Sequence, residues 1–462
     1  MISFSDFSVW GWFNVLAVLL ASLLLANALK KAIPFLKASL IPVSVIGGLI
    51  LVVIAGVYKT ITGNILFDTA FFGNNGTNVL EQITYHTLAL GFIASAFKSG
   101  HGKLSKRRTR DIFNTGVTTV ATYLLQGIVG MGITLLAAYL MSDFFKAAGL
   151  LLPFGYGQGT GQAMNYGNIY QEQYHFAGGK SFGLTIAAFG FISASFGGVI
   201  HLNILRRKGK LADKYVDEEG EIYSEQIQAD GEIPMQESID KMTVQIALIA
   251  LAYMLSFVMM FGLAKLLPGM AATIFGFNFL LGVLAATVIK VVINMMKKAK
   301  IVKKEYTNDF LMTRVGNFFF DIMVVAGIAA IRLGDVEAYW GILVILGVAG
   351  LVVTYAYNLF VAKVLFKRYP QAQFLAMFGM LTGTASTGII LLREIDGEFK
   401  TPAADNLVYQ TFPAIVFGFP MMLLATLAPQ KPILTYIILV AFFLVMNVIL
   451  FRRFIFPRRR KR

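Results

Sequence analysis

Apolar stretches long enough to cross a bilayer follow one another along almost the whole chain, with short basic clusters between them. A spanning helix needs about 20 mostly apolar residues. Stretches of that kind run over 10–29, 41–58, 81–97, 112–141, 181–204, 243–264, 269–293, 310–332, 339–366, 406–428 and 432–451. Nothing in hydrocarbon can satisfy a free backbone N–H or C=O, so each stretch is expected to be helical. The chain is 57% apolar and 14% charged, with a mean hydropathy of +0.69. That leaves too little polar surface for a soluble globule and makes the chain an all-α polytopic membrane protein. Lys30 is the first basic residue, so the opening stretch lacks the basic n-region of a signal peptide and reads as a retained helix.

The formal net charge of +15 suggests nucleic acid until its placement is considered. Basic residues follow the first stretch (Lys30, Lys31, Lys37), separate the third from the fourth (Lys98 to Arg110) and follow the fifth (Arg206, Arg207, Lys208, Lys210). Others follow the seventh (Lys297 to Lys304), end the ninth (Lys363, Lys367, Arg368) and close the chain (Arg452, Arg453, Arg458 to Arg462). One threading puts every cluster in the cytoplasm, as the positive-inside rule asks. It expects a multi-pass protein of the cell inner membrane, with the N-terminus outside, the C-terminus inside, and no nucleic-acid partner. Trp10, Trp12 and Trp340 then fall near outer ends as interfacial anchors.

That threading constrains two segments too rich in glycine and hydroxyls to cross bare lipid. Segment 146–168 begins and ends outside, whereas 370–392 begins and ends inside, so the two enter from opposite faces. They also resemble each other. Phe154-Gly155-Tyr156-Gly157-Gln158-Gly159-Thr160 lies over Phe378-Gly379-Met380-Leu381-Thr382-Gly383-Thr384, and the same offset lays 112–141 over 339–366 and 181–204 over 406–428. The expected fold is two inverted-topology repeats, each with five transmembrane helices and one re-entrant hairpin, followed by an extra C-terminal helix. The first repeat covers 1–204, a solvated cytoplasmic linker 205–241, the second repeat 242–428, and the extra helix with its basic tail 429–462.

Irregular backbone at membrane depth survives only where protein or a wet cavity surrounds it. Glycines let the chain turn and let a ligand approach, although small residues also serve close helix packing. At a hairpin tip, the start of the second half-helix carries roughly +0.5 charge and free N–H donors suited to a carboxylate. Freed carbonyls and the hydroxyls of Thr160, Thr384, Ser386 and Thr387 are hard oxygen ligands suited to sodium, and Gln158, Gln162 and Asn165 add polar groups at the first tip. Arg314, Asn317 and Asp321 share one helix face at i, i+3 and i+7. Arg314 is a candidate fork for a substrate carboxylate, unless it snorkels from its place near the helix start. Asp321 is a candidate cation ligand. Asn406 and Gln410 are placed to face the second hairpin. The expected site takes substrate at Gly159, Thr160, Gln162, Gly383, Thr384, Ser386, Thr387 and Arg314, and sodium at Thr160, Asn165, Thr384 and Asp321.

Other classes fit poorly. Cysteine is absent, and His86, His101, His175 and His201 stand at no metal-ligand spacing, so no nucleophile or metal constellation argues for an enzyme. No ring of like charge or repeated filter argues for a channel.

The tips, Gly157-Gln158-Gly159-Thr160 and Thr382-Gly383-Thr384-Ala385-Ser386-Thr387, resemble those of the bacterial sodium/glutamate symporters. The resemblance implies sodium-coupled glutamate uptake by a homodimer, with sodium ions as co-transported cargo and a substrate site between the tips. Tyr156 and Gln158 stand where that family typically has glycine and histidine. A sodium- or proton-coupled carrier of another small carboxylate, such as a hydroxycarboxylate or a different acidic amino acid, therefore remains open.

Overall fold

A computed structural model describes residues 6–98, 106–141, 144–208, 232–235, 239–268, 271–396 and 401–455. Most of the stretch 205–241 and the tail 456–462 fall outside the described residues. The chain opens with α1 (Phe7–Ala32), α2 (Pro34–Ala38), α3 (Val43–Thr62), α4 (Gly76–Phe97) and α5 (Lys106–Leu140). It continues through α6 (Leu151–Gln158), α7 (Thr160–Tyr174) and α8 (Gly179–Arg207). Beyond the linker come α9 (Lys241–Leu266), α10 (Ala271–Gly276), α11 (Asn278–Lys298), α12 (Asp309–Ala329) and α13 (Trp340–Leu365). Then follow α14 (Pro370–Thr382), α15 (Ala385–Arg393), α16 (Ala403–Tyr409), α17 (Thr411–Leu427) and α18 (Pro432–Ile455). No strand occurs among the described residues.

Local signals explain where these helices begin and end. The Asp6 carboxylate accepts from Ser8 N at 2.8 Å to start α1, and Asp240 does the same from Met242 N to start α9. Gly63, at φ +73°, lets α3 stop in the left-handed region. Nine of the described helical segments are long and apolar enough to cross a membrane, so the protein is a multi-pass membrane protein.

Two of the expected spans are broken instead. The stretch 269–293 is interrupted at Phe277, between α10 and α11. Carbonyls freed there are taken up by neighbours: Tyr85 Oη donates to Phe275 O at 2.7 Å and Asn165 Nδ2 to Gly276 O at 3.3 Å. The stretch 406–428 is split at Gln410 between α16 and α17, because Pro413 has no N–H to carry the ladder across that turn. The linker is also less solvated than expected at its C-terminal end. Lys241 is fully buried and pairs with Glu232 at 2.6 Å, and Glu232 in turn bridges the backbone of Glu305.

The helices form two bundles. In one, α4 packs on α12, α3 packs on α12 while α11 packs on α4, and α1 lies on α3 as α9 lies on α11. In the other, α5 packs on α13, α8 packs on α13 while α17 packs on α5, and α18 adds to the outer side of α5. Each of these pairings, α18 apart, recurs with the two halves of the chain exchanged. Gly48 and Gly91 let α3 and α4 pass close to α12, since a methyl on Gly48 would sit 2.6 Å from Ile328 Cβ and one on Gly91 2.7 Å from the Phe320 ring.

Candidate functional site

The helices of the second bundle surround two places where the chain breaks and turns back. Between α6 and α7 stands Gly159, at φ +84° and ψ −173°, a conformation essentially reserved for glycine. The Phe154 and Tyr166 rings stack with centroids 3.9 Å apart. At a rise of about 1.5 Å per residue, an unbroken helix would separate them by about 18 Å, so α6 and α7 run antiparallel as a hairpin. The second break lies between α14 and α15. A methyl on Gly379 would sit 2.8 Å from Gly388 Cα, and one on Gly388 would sit 2.4 Å from Ala376 O, so these arms also lie side by side. Thr384 caps α15, its hydroxyl accepting from Thr387 N at 3.4 Å.

The two tips meet. A methyl group built on Gly159 would lie 3.7 Å from Thr384 Cγ2 and 3.9 Å from Gly383 O. The starts of α7 and α15 and the ends of α6 and α14 therefore converge on one small region. Helix starts carry N–H groups with no intrahelical partner and helix ends carry such carbonyls, so the region offers both donors for an anion and oxygens for a cation.

Around this point Thr160 is fully buried, and its hydroxyl donates to Met323 O at 3.3 Å. Gln162, in the first turn of α7, is buried, and its Nε2 has no hydrogen-bond partner among the described residues. Asn165 is buried one turn further on and donates weakly to Gln162 Oε1 at 3.4 Å. Thr387 is fully buried, with its hydroxyl 3.3 Å from that of Thr384. The Ser386 side chain lies outside the described residues.

A family model described as sodium/glutamate symporter matches residues 11–401, a range that includes both tips. The chain belongs to the sodium/glutamate symporter family. Among curated protein sequences none matches it. The family match ends before α16, so α16, α17 and α18 lie outside it.

In this family member Arg314, Asn317 and Asp321 are not brought to the tips. They do share a face of α12, but an exposed one. The tips touch the opposite side of that helix: Met323 Cε approaches Gly159, and a methyl on Gly327 would lie 2.7 Å from Thr160 Cβ. Arg314 instead lies over the Phe310 ring of its own helix, 5.1 Å from the centroid. Helical periodicity grouped the three residues correctly and could not say which way they point. Asn406 and Gln410 do face the second hairpin. Asn406 Nδ2 donates to Gln373 Oε1 at 2.9 Å, and Gln410 Nε2 lies 3.3 Å from Met380 Sδ.

Other residues near the tips escaped the sequence reading. Tyr123 Oη of α5 donates to Gly157 O at 3.0 Å, satisfying a carbonyl at the end of α6. One turn along α5, Gln126 Nε2 donates to Leu381 O at 2.9 Å, at the end of α14, and to Thr354 Oγ1 at 2.8 Å. A single helix thus holds the loose ends of both hairpins. The available signal was the row Asn114, Thr115, Thr118, Thr119, Thr122 and Gln126, all buried inside a stretch otherwise apolar enough to face lipid. Tyr156 is also explained. Its hydroxyl lies 2.8 Å from Ser193 Oγ and donates to Gly347 O at 2.5 Å, so it ties α6 to α8 and α13.

On the first-hairpin side, a cavity of about 280 Å³ is lined by Glu81, Tyr85, Asn165, Asn168, Lys180 and Gly276, among others. Lys180 of α8 pairs with Glu81 of α4 at 2.9 Å in its wall, joining the two bundles.

Proposed function

We propose that the chain is a secondary active transporter that couples sodium entry to glutamate uptake, with alternating access around the two hairpin tips. The observation that carries this reading is the meeting of the tips, Gly159 against Gly383 and Thr384. Two helix starts facing one point suit the substrate carboxylates, and the Gln162 amide adds a donor beside them. Thr160, Asn165, Thr384 and the freed carbonyls are the oxygens offered to sodium. Ser386, beside them in sequence, belongs to the same proposed set.

Other parts of the reading follow from the same pattern. Helix pairings that recur with the two halves exchanged support an inverted-topology repeat: 1–204 and 242–428, joined by 205–241, with 429–462 appended. Each hairpin is then re-entrant, one from each face of the cell inner membrane, with the N-terminus outside and the C-terminus in the cytoplasm. A homodimer remains part of the proposal through the family alone. Arg314 and Asp321, on the face of α12 turned away from the tips, drop out of the proposed ligand set. Because polar groups at membrane depth avoid lipid, that exposed face needs water beside it.

Electrical cost agrees with coupling. Glutamate is a net anion entering a negative interior, and each charge crossing is worth about 2.3 kcal/mol per 100 mV. Two or more sodium ions moving with it make the net transfer positive and downhill. A carrier of another small carboxylate is the second reading, motivated by Tyr156 and Gln158. The Tyr156 contacts weigh against it, since that hydroxyl is engaged in packing rather than turned to the tip.

The test is uptake of labelled glutamate into proteoliposomes with and without an inward sodium gradient, competed by a panel of unlabelled acids. Accumulation that requires sodium and is blocked by glutamate or aspartate is expected. Uptake indifferent to sodium would falsify the coupling, and competition by hydroxycarboxylates alone would move the substrate to the second reading.

A further inference from the structure

Far from the tips, a second cavity of about 270 Å³ opens where the start of α5, the α13–α14 junction and the end of α18 come together. Its wall carries six cations: Arg107, Arg110, Lys367, Arg368, Arg452 and Arg453. The lining has one carboxylate, Asp111, which is buried, pairs with Arg110 at 3.4 Å and accepts from Tyr369 Oη at 2.9 Å. Arg452 is held in place by donating to Ile449 O at 2.7 Å and lying over the Phe113 ring. Among the described residues no ion pair joins Arg107, Lys367, Arg368 or Arg453 to a carboxylate.

Positive-inside clusters ordinarily spread over a surface, where solvent and salt screen them. Here three separate helix ends bring like charges around one concavity, which raises a local positive potential that attracts an anion. The arginines are donors in a rigid fork that matches phosphate oxygens. Beside Asn114, whose Oδ1 accepts from Arg452 at 3.4 Å, and Tyr369, the rest of the wall is apolar, with Val364, Leu365 and an exposed Phe454 on the side of the helix ends.

We infer that this cavity is a binding site for a phosphoryl anion, with geometry suited to the headgroup of an anionic phospholipid whose acyl chains lie along the exposed Phe454. Free inorganic phosphate presents the same chemistry to the same guanidinium groups. The site is separate from the tips, yet its floor includes Tyr369, the residue just before α14. Asn406 Nδ2 donates to that phenol at 3.1 Å and also to Gln373 of the second hairpin, so an occupant would rest on the base of that hairpin.

The experiment compares the full-length protein with Arg368→Gln/Arg453→Gln, whose residues line the cavity and are exposed, and with Lys298→Gln/Lys303→Gln, an equal charge loss on exposed residues elsewhere. Each is equilibrated with vesicles of phosphatidylglycerol and phosphatidylcholine, and retained lipid is counted by native mass spectrometry. In a second arm, delipidated protein receives inorganic phosphate and its unfolding midpoint is followed. At roughly fivefold per basic residue, the cavity variant should retain phosphatidylglycerol at least about tenfold less than the parent, with the distal variant unchanged. A phosphate-induced rise in midpoint that only the cavity variant loses would support the same site with free phosphate as its occupant. If both variants lose lipid equally, or if neither ligand distinguishes the cavity variant from the parent, the site does not exist. The midpoint of each variant in lipid-free detergent reports directly whether it is folded.

Discussion

The two hairpins share a plan, yet they are held very differently. The first is embedded between the bundles: α7 packs on α8 in its own bundle and on α4, α10 and α12 of the other. The second keeps its main contacts at home, on α13, α8, α5, α6 and α16. Their tips differ in the same sense. Gly159 and Thr160 are buried, whereas Thr384 is half-buried and Ala385 exposed. Exchange of the two halves turns the contact of α7 with α4 and α12 into a contact of α15 with α12 and α4, and that one is not among the main packings. Two hairpins alike in sequence pattern and unlike in surroundings suit the alternating access proposed above. On the proposed reading, the tip of the first hairpin is covered and the tip of the second is open beside Ala385.

The largest effects should come from the tip glycines, and they should differ in kind. Gly159 has room for a methyl, with its nearest neighbours at 3.7 Å, but its backbone conformation excludes other residues at about 1–3 kcal/mol. Gly383 is at φ −151°, outside the left-handed region, but a methyl there would sit 2.9 Å from Thr387 Oγ1, 3.0 Å from the Phe191 ring and 3.2 Å from Gly379 O. Gly159→Val and Gly383→Val should both abolish uptake while protein remains in the membrane. Gly159→Ala should be nearly as damaging as the valine change. Gly383→Ala should keep part of the activity, because small shifts of the Thr387 hydroxyl and the Phe191 ring can make room for the methyl. Equal damage from the two alanines would erase the distinction between a backbone-limited and a packing-limited tip.

The next effect is one of access. Because the chain has no cysteine, any introduced thiol is the only one. Ala385→Cys should react quickly with a membrane-impermeant, water-soluble maleimide applied to the face from which the second hairpin enters, and Thr160→Cys slowly from either face. Sodium with glutamate should slow the reaction at 385. Equally fast reaction at both positions would mean that the first hairpin is not closed over and that the asymmetry has been misread.

How much of this was legible in the sequence follows from the same contrast. Apolar length and basic clusters revealed most of the spans, because burial in a bilayer imposes its demand on each helix separately. The two tips were legible as well, since Gly159-Thr160 and Gly383-Thr384 repeat one short pattern. Breaks at Phe277 and Gln410 were not, for opposite reasons. The first depends on Tyr85 and Asn165, which reach the freed carbonyls from elsewhere in the chain. The second was written locally in Pro413 and was masked by the apolar average around it. Arg314 and Asp321 lie on the face away from the tips, which periodicity could not show because it fixes a face and not its direction. Tyr123 and Gln126 were missed because a glutamine inside a span draws notice only once its partner, the bare end of another helix, is known.

Those two residues give the smallest effect and the sharpest separation of the hairpins. Tyr123→Phe keeps the ring that packs on Gly157 and removes only its hydroxyl, leaving the Gly157 carbonyl without that donor. Gln126→Leu takes a donor from both Leu381 O and Thr354 Oγ1, but it also removes Gln126 Oε1, a buried acceptor with no partner of its own. That relief offsets part of the second loss, so the two variants should be destabilised by similar amounts, about 1–3 kcal/mol each. The unfolding midpoint alone would not tell them apart, but hydrogen exchange resolved along the chain would. Tyr123→Phe should speed exchange at the end of α6 and leave α14 as it was, and Gln126→Leu should do the reverse. Faster exchange in both hairpins from either single change would show that α5 couples the two tips into one unit, and their different surroundings would then not translate into separate motions.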